Sequence, residues 1–470
     1  MLINISANAD KKEDNMRKWF VCVFLGLVLT VTACGSGTKT EDNSTEDAPV
    51  EGQGKDAQST EVPEDIVEIE FWHSSPFGVQ AELMTKLLED FMVMHPNIKV
   101  KELGLTLGDS SEKLTPALAA GTGPDLVANS LDSVKERAIK QQIVNMQQYV
   151  TEWGLDTSVF FPATVEACMY EGSLYALPYI TDTRVLFYNK DHFREAGLDP
   201  EKPPTTWKEV LEYNEKLTVL NDNGVAERVG FTTRIGEAYP WVLGWSFGAE
   251  LWNDDGTPNI NSPEMLEALN FAIEIQEQVG ISAMNGVTEN WAASGYVNPF
   301  IAEITSMTIA YNGFYATLAT DNPDLDYGVA LIPTKDGINY KTSWAAGYSL
   351  EIVDKGDEAR ARAAFELAAY LCDVEAATAL LIDTSEYVCN MKAYEDPRIQ
   401  DDPMWKVFVE SGKNNRYHHF LEEYPTWHYG ILQPEWDAAL LGTKSPEQAL
   451  KDADDLINTA IENYKLMSGG

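Results

Sequence analysis

From Ile66 onward the chain alternates short β-like runs with stretches of helical period, and this alternation limits the fold more than any other feature. IVEIEF (66–71) reads as a strand, and Val79, Leu83, Met84, Leu87, Leu88 and Phe91 then recur at helical spacing. Pro96-Asn97 breaks that helix, IKVKEL (98–103) alternates as a second strand, another helix ends at Gly121, and DLVAN (125–129) supplies a third strand. Strands joined by helical crossovers run parallel, so the pattern predicts an α/β sheet covered on both faces. With 470 residues, 44% of them hydrophobic, the chain can bury two cores. Ligands of such sheets sit outside the carboxyl ends of the strands, which makes Trp72, His73 and Asn129 candidates by position, and Trp344 later in the chain.

Helix starts are well marked downstream. Thr206-x-x-Glu209 and Ser445-x-x-Gln448 have the form of capping boxes, and Ser262-Pro263 and Ser445-Pro446 put proline at the first helical position. The last 25 residues read as one amphipathic helix.

Charge removes whole classes of function. With 74 acidic against 34 basic side chains, net −40, the chain cannot neutralise a phosphate backbone, which excludes nucleic acid as a partner. Anionic headgroups repel it as well, so membrane residence requires a dedicated anchor. The N-terminus offers one. Trp19–Val31 is an apolar run behind Arg17 and Lys18, too short to span a bilayer, and it ends in Thr32-Ala33-Cys34-Gly35. This is the pattern of a secretory signal, with Met16 as the better initiator. Val31-Thr32-Ala33-Cys34 resembles a bacterial lipobox, which implies cleavage after residue 33 and lipidation of Cys34. Residues 35–65 follow with nine Asp/Glu and two Lys and no aromatic, a self-repelling tether that cannot bury enough surface to order itself. Those features place the folded part on the outer face of the cytoplasmic membrane.

Several motifs bear on chemistry. Gly244-Trp245-Ser246-Phe247-Gly248 matches the nucleophile elbow of hydrolases, with Asp254, Asp255 and then His418, His419 and His428 in the chain order a triad needs. The elbow requires a strand before the serine and a helix after it, whereas YPWVL precedes and a turn-rich loop follows. A secreted esterase using Ser246 is therefore the alternative reading, and a glycosidase using Asp182 and Glu237 a weaker one. Asn253-Asp254-Asp255-Gly256 fails as a calcium loop because Leu251 and Ser262 would fall at ligand positions. The three late histidines lack zinc spacing and sit among Tyr417, Tyr424, Trp427 and Tyr429, as in an aromatic cleft wall or plain core. No metal site or cofactor motif is expected. Cys168, Cys372 and Cys389 read as buried free thiols, with a Cys372–Cys389 bridge as the other possibility in an exported protein.

A series of stretches in order resembles the extracellular solute-binding proteins of ABC importers, the family of maltose-binding protein. They include HPNIKV (95–100), AAGTGPDLV (119–127), EGSLYALPY (171–179), VLFYNKDHFREAGL (185–198), PPTTWKEV (203–210), YNGF (311–314), GVALIPTKDG (328–337), SWAAGYSLEI (343–352) and GTKSPEQAL (442–450). The resemblance implies a two-lobed periplasmic-binding-protein fold of type II, each lobe a sheet flanked by helices, with ligand in the cleft between. It implies chain crossings near Tyr179–Thr181, Ala345–Gly347 and Lys392–Asp396. One lobe would then comprise residues 66–180 plus 345–395, the other 181–344 plus 396–470. Matched position by position, the family pattern implies ligand contacts at Asp132, Asp182, Glu237, Tyr239, Trp241 and Tyr315, and at Trp427 or Tyr429 in the late aromatic cluster. Asn129 and Ser133 stand where maltose binders carry Trp and Arg, which argues against maltose itself. The scarcity of Lys and Arg among these positions argues against an anionic ligand.

A sugar suits such residues. Carboxylates take paired hydrogen bonds from vicinal hydroxyls, and aromatic faces cover the apolar C–H face of a pyranose. The sequence reading is thus a monomeric, lipid-anchored binding protein, without catalytic residues, that hands a carbohydrate, expected to be an oligosaccharide, to the transmembrane subunits of an ABC permease.

Overall fold

The computed structural model describes residues 66–280, 298–338 and 341–468, with Val287, Trp291 and Gly295 between. The leader, the Trp19–Val31 run, Cys34 and the acidic stretch lie outside the described residues.

Strand β1 (Val67–His73), helix α1 (Gly78–Met94), β2 (Ile98–Gly104), α2 (Leu107–Ala120) and β3 (Leu126–Ser130) follow the order read from the sequence. Leu83, Met84, Leu87, Leu88 and Phe91 form the buried face of α1. Val79, assigned to that face by spacing, is 55% exposed, because it stands in the first turn where the helix has not yet reached the sheet. Thr106 caps α2 by accepting the Asp109 N–H, and Gly121 ends it in the left-handed region at φ 67°.

The chain then passes through β4 (Ala176–Thr181) and β5 (Arg184–Asn189), helices α3 (Trp207–Leu217), α4 (Pro240–Ser246) and α5 (Pro263–Val279), β6 (Met307–Tyr311), β7 (Tyr327–Ala330), β8 (Ser343–Trp344), β9 (Gly347–Ile352), α6 (Glu358–Cys372), α7 (Pro403–Lys413), β10 (Asn415–Arg416) and α8 (Pro446–Ser468). The first sheet has five strands in the order β2-β1-β3-β9-β4, with β1 parallel to both neighbours and β9 antiparallel to both of its own. The second is β6-β5-β7, all antiparallel. The capping box at Thr206 is complete, with Glu209 reaching back to the Thr206 N–H.

Every residue of β5 is buried, and its alternation divides the interior. Val185 and Phe187 join the core that continues under the first sheet, with Phe314 and Phe408. Leu186 and Tyr188 join a second core built on Trp207, Trp241 and Trp436.

The two sheets are linked where Thr181–Arg184 passes beside Ser343–Gly347. Asp182 N–H donates to Ala346 O at 3.2 Å, and Ala346 N–H donates back to Asp182 Oδ1 at 2.7 Å. Thr183 Oγ1 lies within hydrogen-bond distance of Ser343 Oγ (2.8 Å), Ser411 Oγ (2.7 Å) and Asn415 Oδ1 (2.8 Å), so one fully buried hydroxyl gathers three chain segments. Gly347 adopts φ 144°, and a Cβ there would stand 2.2 Å from Ile180 O, so only glycine lets the segments approach this closely. Farther on, Cys389 N–H bonds Tyr179 O at the edge of the first sheet, a 3₁₀ turn covers Met391–Glu395, and α7 sets Ser411 Oγ on Arg184 O of the second.

The Gly244–Gly248 motif is not an elbow. Ser246 ends helix α4, fully buried, with its hydroxyl held between the Trp207 indole N–H and Leu243 O, both at 2.7 Å. Gly244 is there for packing: a Cβ would meet Met265 Sδ at 2.2 Å. Cys168, Cys372 and Cys389 are buried free thiols, and no Cys372–Cys389 bridge forms. Among the described residues no helix is long and apolar enough to cross a membrane, and no acid, His or Cys cluster could hold a metal.

Thr183→Val keeps the shape of the side chain and removes the shared hydroxyl, leaving buried partners unsatisfied. We expect a loss of about 2–3 kcal/mol, read as a lower urea midpoint at unchanged slope. An unchanged midpoint would show that the hydroxyl carries no load.

Candidate functional site

The crossing projects two charged side chains to one side. Asp182 and Arg184 are two residues apart on extended chain, hence on the same face, while Thr183 points the other way into its hydroxyl cluster. Arg184 is 4% exposed. Its guanidinium donates to Asp182, to Glu237 Oε2 at 3.0 Å and to Trp344 O at 3.3 Å, and lies 4.1 Å from the centre of the Trp344 ring. Burial alone would lower the pKa of Arg184, but Asp182 and Glu237 outweigh it and hold the charge firmly. Glu237 is raised above the ordinary carboxylate range, first by burial and then by Asp182, with Arg184 opposing. Glu237 is delivered by a segment pinned to β6 through its own N–H to Ile309 O.

An aromatic cluster backs this centre. Tyr239 stacks on Trp241 at 4.6 Å and meets Trp344 and Tyr429 edge-on. Trp241 in turn packs edge-on against His418 and His428, which stack on each other at 3.6 Å. Burial holds both imidazoles neutral: His418 lies well below its ordinary pKa, and His428 is pushed down to about 4. The indole N–H groups of Trp241 and Trp344, both ring nitrogens of His418 and Nδ1 of His428 are buried without a hydrogen-bond partner. So many polar atoms left open in one cluster call for a polar occupant beside them.

Two cavities flank the crossing segments. One of about 360 Å³ is lined by Asp132, Lys135, Trp245, Arg416 and His418 among others. The second, about 330 Å³, is lined by Asp182, Tyr311, Gly313, Tyr348 and Glu386 among others. Asp132 opens to solvent yet has protein on most sides, so its carboxyl is raised to about 6, chiefly by burial and then by the charge of Asp182, against the pull of Arg184.

The structure thus brings together Asp182, Glu237, Tyr239, Trp241, Trp344 and Tyr429, with Asp132 close enough to feel their charge. Trp427 stands behind them, 1% exposed, its indole N–H on His419 O. Four residues named from the sequence are placed elsewhere. Trp72 lies between the first sheet and α2, against Leu105, Leu114 and Val127, with its indole N–H on Glu70. His73 is buried against Glu102 and accepts the Ser75 N–H. Asn129 is tied to Ser133 and to the fully buried Glu351, which Arg137 balances. Tyr315 packs against Trp405 and Phe408. Strand-end position pointed Trp72, His73 and Asn129 to the right end of the sheet, but their side chains are engaged by neighbouring residues, and Tyr315, implied by the family pattern, packs on α7.

His418 and His428, read from the sequence as part of an aromatic cleft wall or plain core, stand in the aromatic cluster, whereas Arg184 was not among the residues read as site. For Arg184 a signal existed: an arginine opening an otherwise apolar strand must be paired once buried, and Asp182 stands two residues before it.

Comparison with known proteins bears on the family and the fold. The family model for bacterial extracellular solute-binding protein matches residues 78–378. A maltotriose-binding protein of Pyrococcus abyssi is 25% identical over 71% of this chain and 69% of its own. The sn-glycerol-3-phosphate-binding periplasmic protein of Salmonella typhimurium is 24% identical over 86% of this chain and 94% of its own. Among solved structures, CpMnBP1 with mannotriose bound superposes with a TM-score of 0.67 at 26% identity, covering 83% of this chain and 100% of that one. The fold is the two-lobed type II periplasmic-binding-protein fold.

Asp132 provides a test of how the site is built. Its folded pKa, about 6 against an ordinary 3.8, means that ionising it works against the folded state. The stability attributable to Asp132 therefore falls as pH rises from about 4 to about 6 and is level above that. Asp132→Asn is expected to raise the melting temperature of the ligand-free protein near neutral pH, with the gain shrinking toward pH 4. A gain independent of pH would refute the assignment.

Proposed function

This chain belongs to the bacterial extracellular solute-binding proteins, and we propose that it captures a neutral carbohydrate, an oligosaccharide, in the cleft at Arg184 and delivers it to an ABC permease. The observation that carries the reading is the Arg184 guanidinium set between Asp182 and Glu237 against the Trp344 ring. Carboxylates already oriented by a cation accept hydroxyl hydrogens, while Tyr239, Trp344 and Tyr429 offer flat faces to a pyranose. The relatives' ligands, maltotriose and mannotriose, are of that class.

Several relatives bind a glycerol phosphate instead. A phosphate on Arg184 is disfavoured because the guanidinium is engaged by Asp182 and Glu237, whose charge would repel it. No covalent step is assigned to the site: Ser246 is sealed in α4, and Asp182 and Glu237 grip the same arginine rather than facing each other across open space.

In this reading residues 66–180 plus 345–395 and residues 181–344 plus 396–470 close as two lobes about the crossing segments, and the closed monomer is what the permease recognises. The lipobox-like Val31–Cys34 supports attachment through acyl chains on Cys34, with residues 35–65 as tether. Cys34→Ser is expected to move the protein from the membrane fraction to the medium; continued membrane attachment would count against the anchor.

The functional test is a thermal-shift screen of the full chain in detergent against mono- and oligosaccharides, polyols and glycerol phosphates. At a hundredfold excess over Kd a true ligand stabilises by about 2.7 kcal/mol. A saccharide is expected to respond, and Glu237→Gln to weaken it by about 10- to 100-fold. A response to glycerol phosphates alone, or to nothing, would overturn the carbohydrate reading.

A further inference from the structure

Asp132 is carried on a short turn between the two cavities that flank the crossing. Ser130 borders one of them, and Leu131 and Asp132 border the other. The turn is a 3₁₀ segment, Leu131–Ser133, that runs into a helix over Val134–Ile139. Leu131 and Val134 anchor its inner side in the core.

Ser133 locks this turn. A serine hydroxyl has one hydrogen to give and can accept two. Here it donates to Ser130 O at 2.7 Å and accepts from Asn129 Nδ2 at 2.9 Å and from Arg137 Nη1 at 2.7 Å. All three places are filled, so its direction is set. Arg137 Nη1 and Asn129 Nδ2 also donate to one acceptor farther in, the carboxylate of Glu351, at 3.3 and 3.1 Å. Ser349 Oγ lies 3.2 Å from that carboxylate and 3.2 Å from Asn129 O.

Glu351 is fully buried in the first sheet, opposite Val127 of β3 and Ala176 of β4. Burial pushes its carboxyl above the ordinary range, with Arg137, Asn129 and Ser349 opposing. A buried ion pair is a weak source of stability, because desolvation offsets the attraction, and apolar residues of like volume commonly serve as well. Position is what this pair can supply. Its strand, β9, starts at Gly347, beside the bonds between Ala346 and Asp182 at the crossing. The pair thus ties the turn of Asp132 to the strand that leaves the crossing, and keeps that wall of the cleft in register with the Asp182–Arg184 centre.

We propose that Arg137 and Glu351 are positioning residues of the site: acting through Ser133, they fix the turn that presents Asp132 to the cleft. What Asp132 does for a ligand rests on the carbohydrate reading above; where Asp132 stands does not.

The pair carries no net charge. Arg137→Met/Glu351→Met therefore removes it with little change in the field at Asp132, and an altered Asp132 titration reports an altered place. The readout is the thermal shift caused by Asp132→Asn across pH, in the full chain in detergent, with and without the pair. The part of that shift that varies with pH is expected to vanish without the pair, because a released Asp132 turns to solvent and titrates as an ordinary carboxylate. The urea midpoint is expected to stay near that of the parent, while affinity for maltotriose or mannotriose by calorimetry falls at least about tenfold. Ser133→Ala leaves the pair in place and cuts its link to the turn. It should act in the same direction and decides the matter if the double variant fails to fold; Ser133→Thr, which keeps the hydroxyl, should not. An Asp132 titration unaltered in either variant that folds overturns the proposal, as does saccharide affinity that stays at the parent's value. An altered titration in a chain that binds none of the saccharides screened upholds the positioning and overturns the carbohydrate reading instead.

Discussion

The structure depends on the buried hydroxyl of Thr183. Two sheets of different pattern, one mixed and one antiparallel, must be joined by chain segments that run side by side without bulk between them. Thr183 meets Ser343, Ser411 and Asn415 at one point, and Ser343 Oγ in addition receives the Arg184 N–H. Short hydroxyl and amide groups satisfy one another here, where larger side chains would force the segments apart. Because side chains alternate on extended chain, turning Thr183 into this cluster turns Asp182 and Arg184 the other way. The same bond that joins the sheets therefore aims the charges of the site.

A buried guanidinium needs both neutralisation and its full set of acceptors. Arg184 obtains them from Asp182, Glu237 and the Trp344 carbonyl, which come from three separate parts of the chain. The cost of bringing carboxyls into this region is seen in Asp132, which holds its proton to about pH 6. Sites that hold polar groups ready for a ligand commonly sacrifice stability in this way. The neutral His418–His428 stack follows the same logic: it contributes polar ring nitrogens without adding charge beside Arg184.

Much of the frame was legible in the sequence because it rests on local rules. The β-α-β-α-β order, the break at Pro96-Asn97, the capping box at Thr206-Glu209 and the terminal helix depend on neighbours a few residues away. Side-chain destinations depend on tertiary partners and were less legible. Trp72 and Phe71 share a strand end but face opposite ways, and the face of Trp72 is covered by α2. Asn129 sits where a ligand residue was expected, yet Glu351, 222 residues away, claims its amide. The Gly-x-Ser-x-Gly pattern arose from the packing of α4 on Met265 rather than from catalysis. His418 and His428 stack because the intervening loop folds back, which no period in the sequence announces.

Asp182 ties these strands together. One carboxylate oxygen accepts the Ala346 N–H from the neighbouring crossing segment and also the Arg184 guanidinium, and the main-chain N–H of the same residue donates to Ala346 O. The residue is at once part of the joint between the sheets and part of the wall of the cleft. Site and joint are consequently not separable: a ligand that draws on Asp182 must act on a group already bonded across the crossing. A carboxylate has lone pairs enough for both, about four in all. A neutral side chain of similar size could keep the Ala346 bond but not the grip on Arg184. That double demand, for a short side chain with several acceptor sites and a negative charge, is what makes aspartate the residue that fits at position 182.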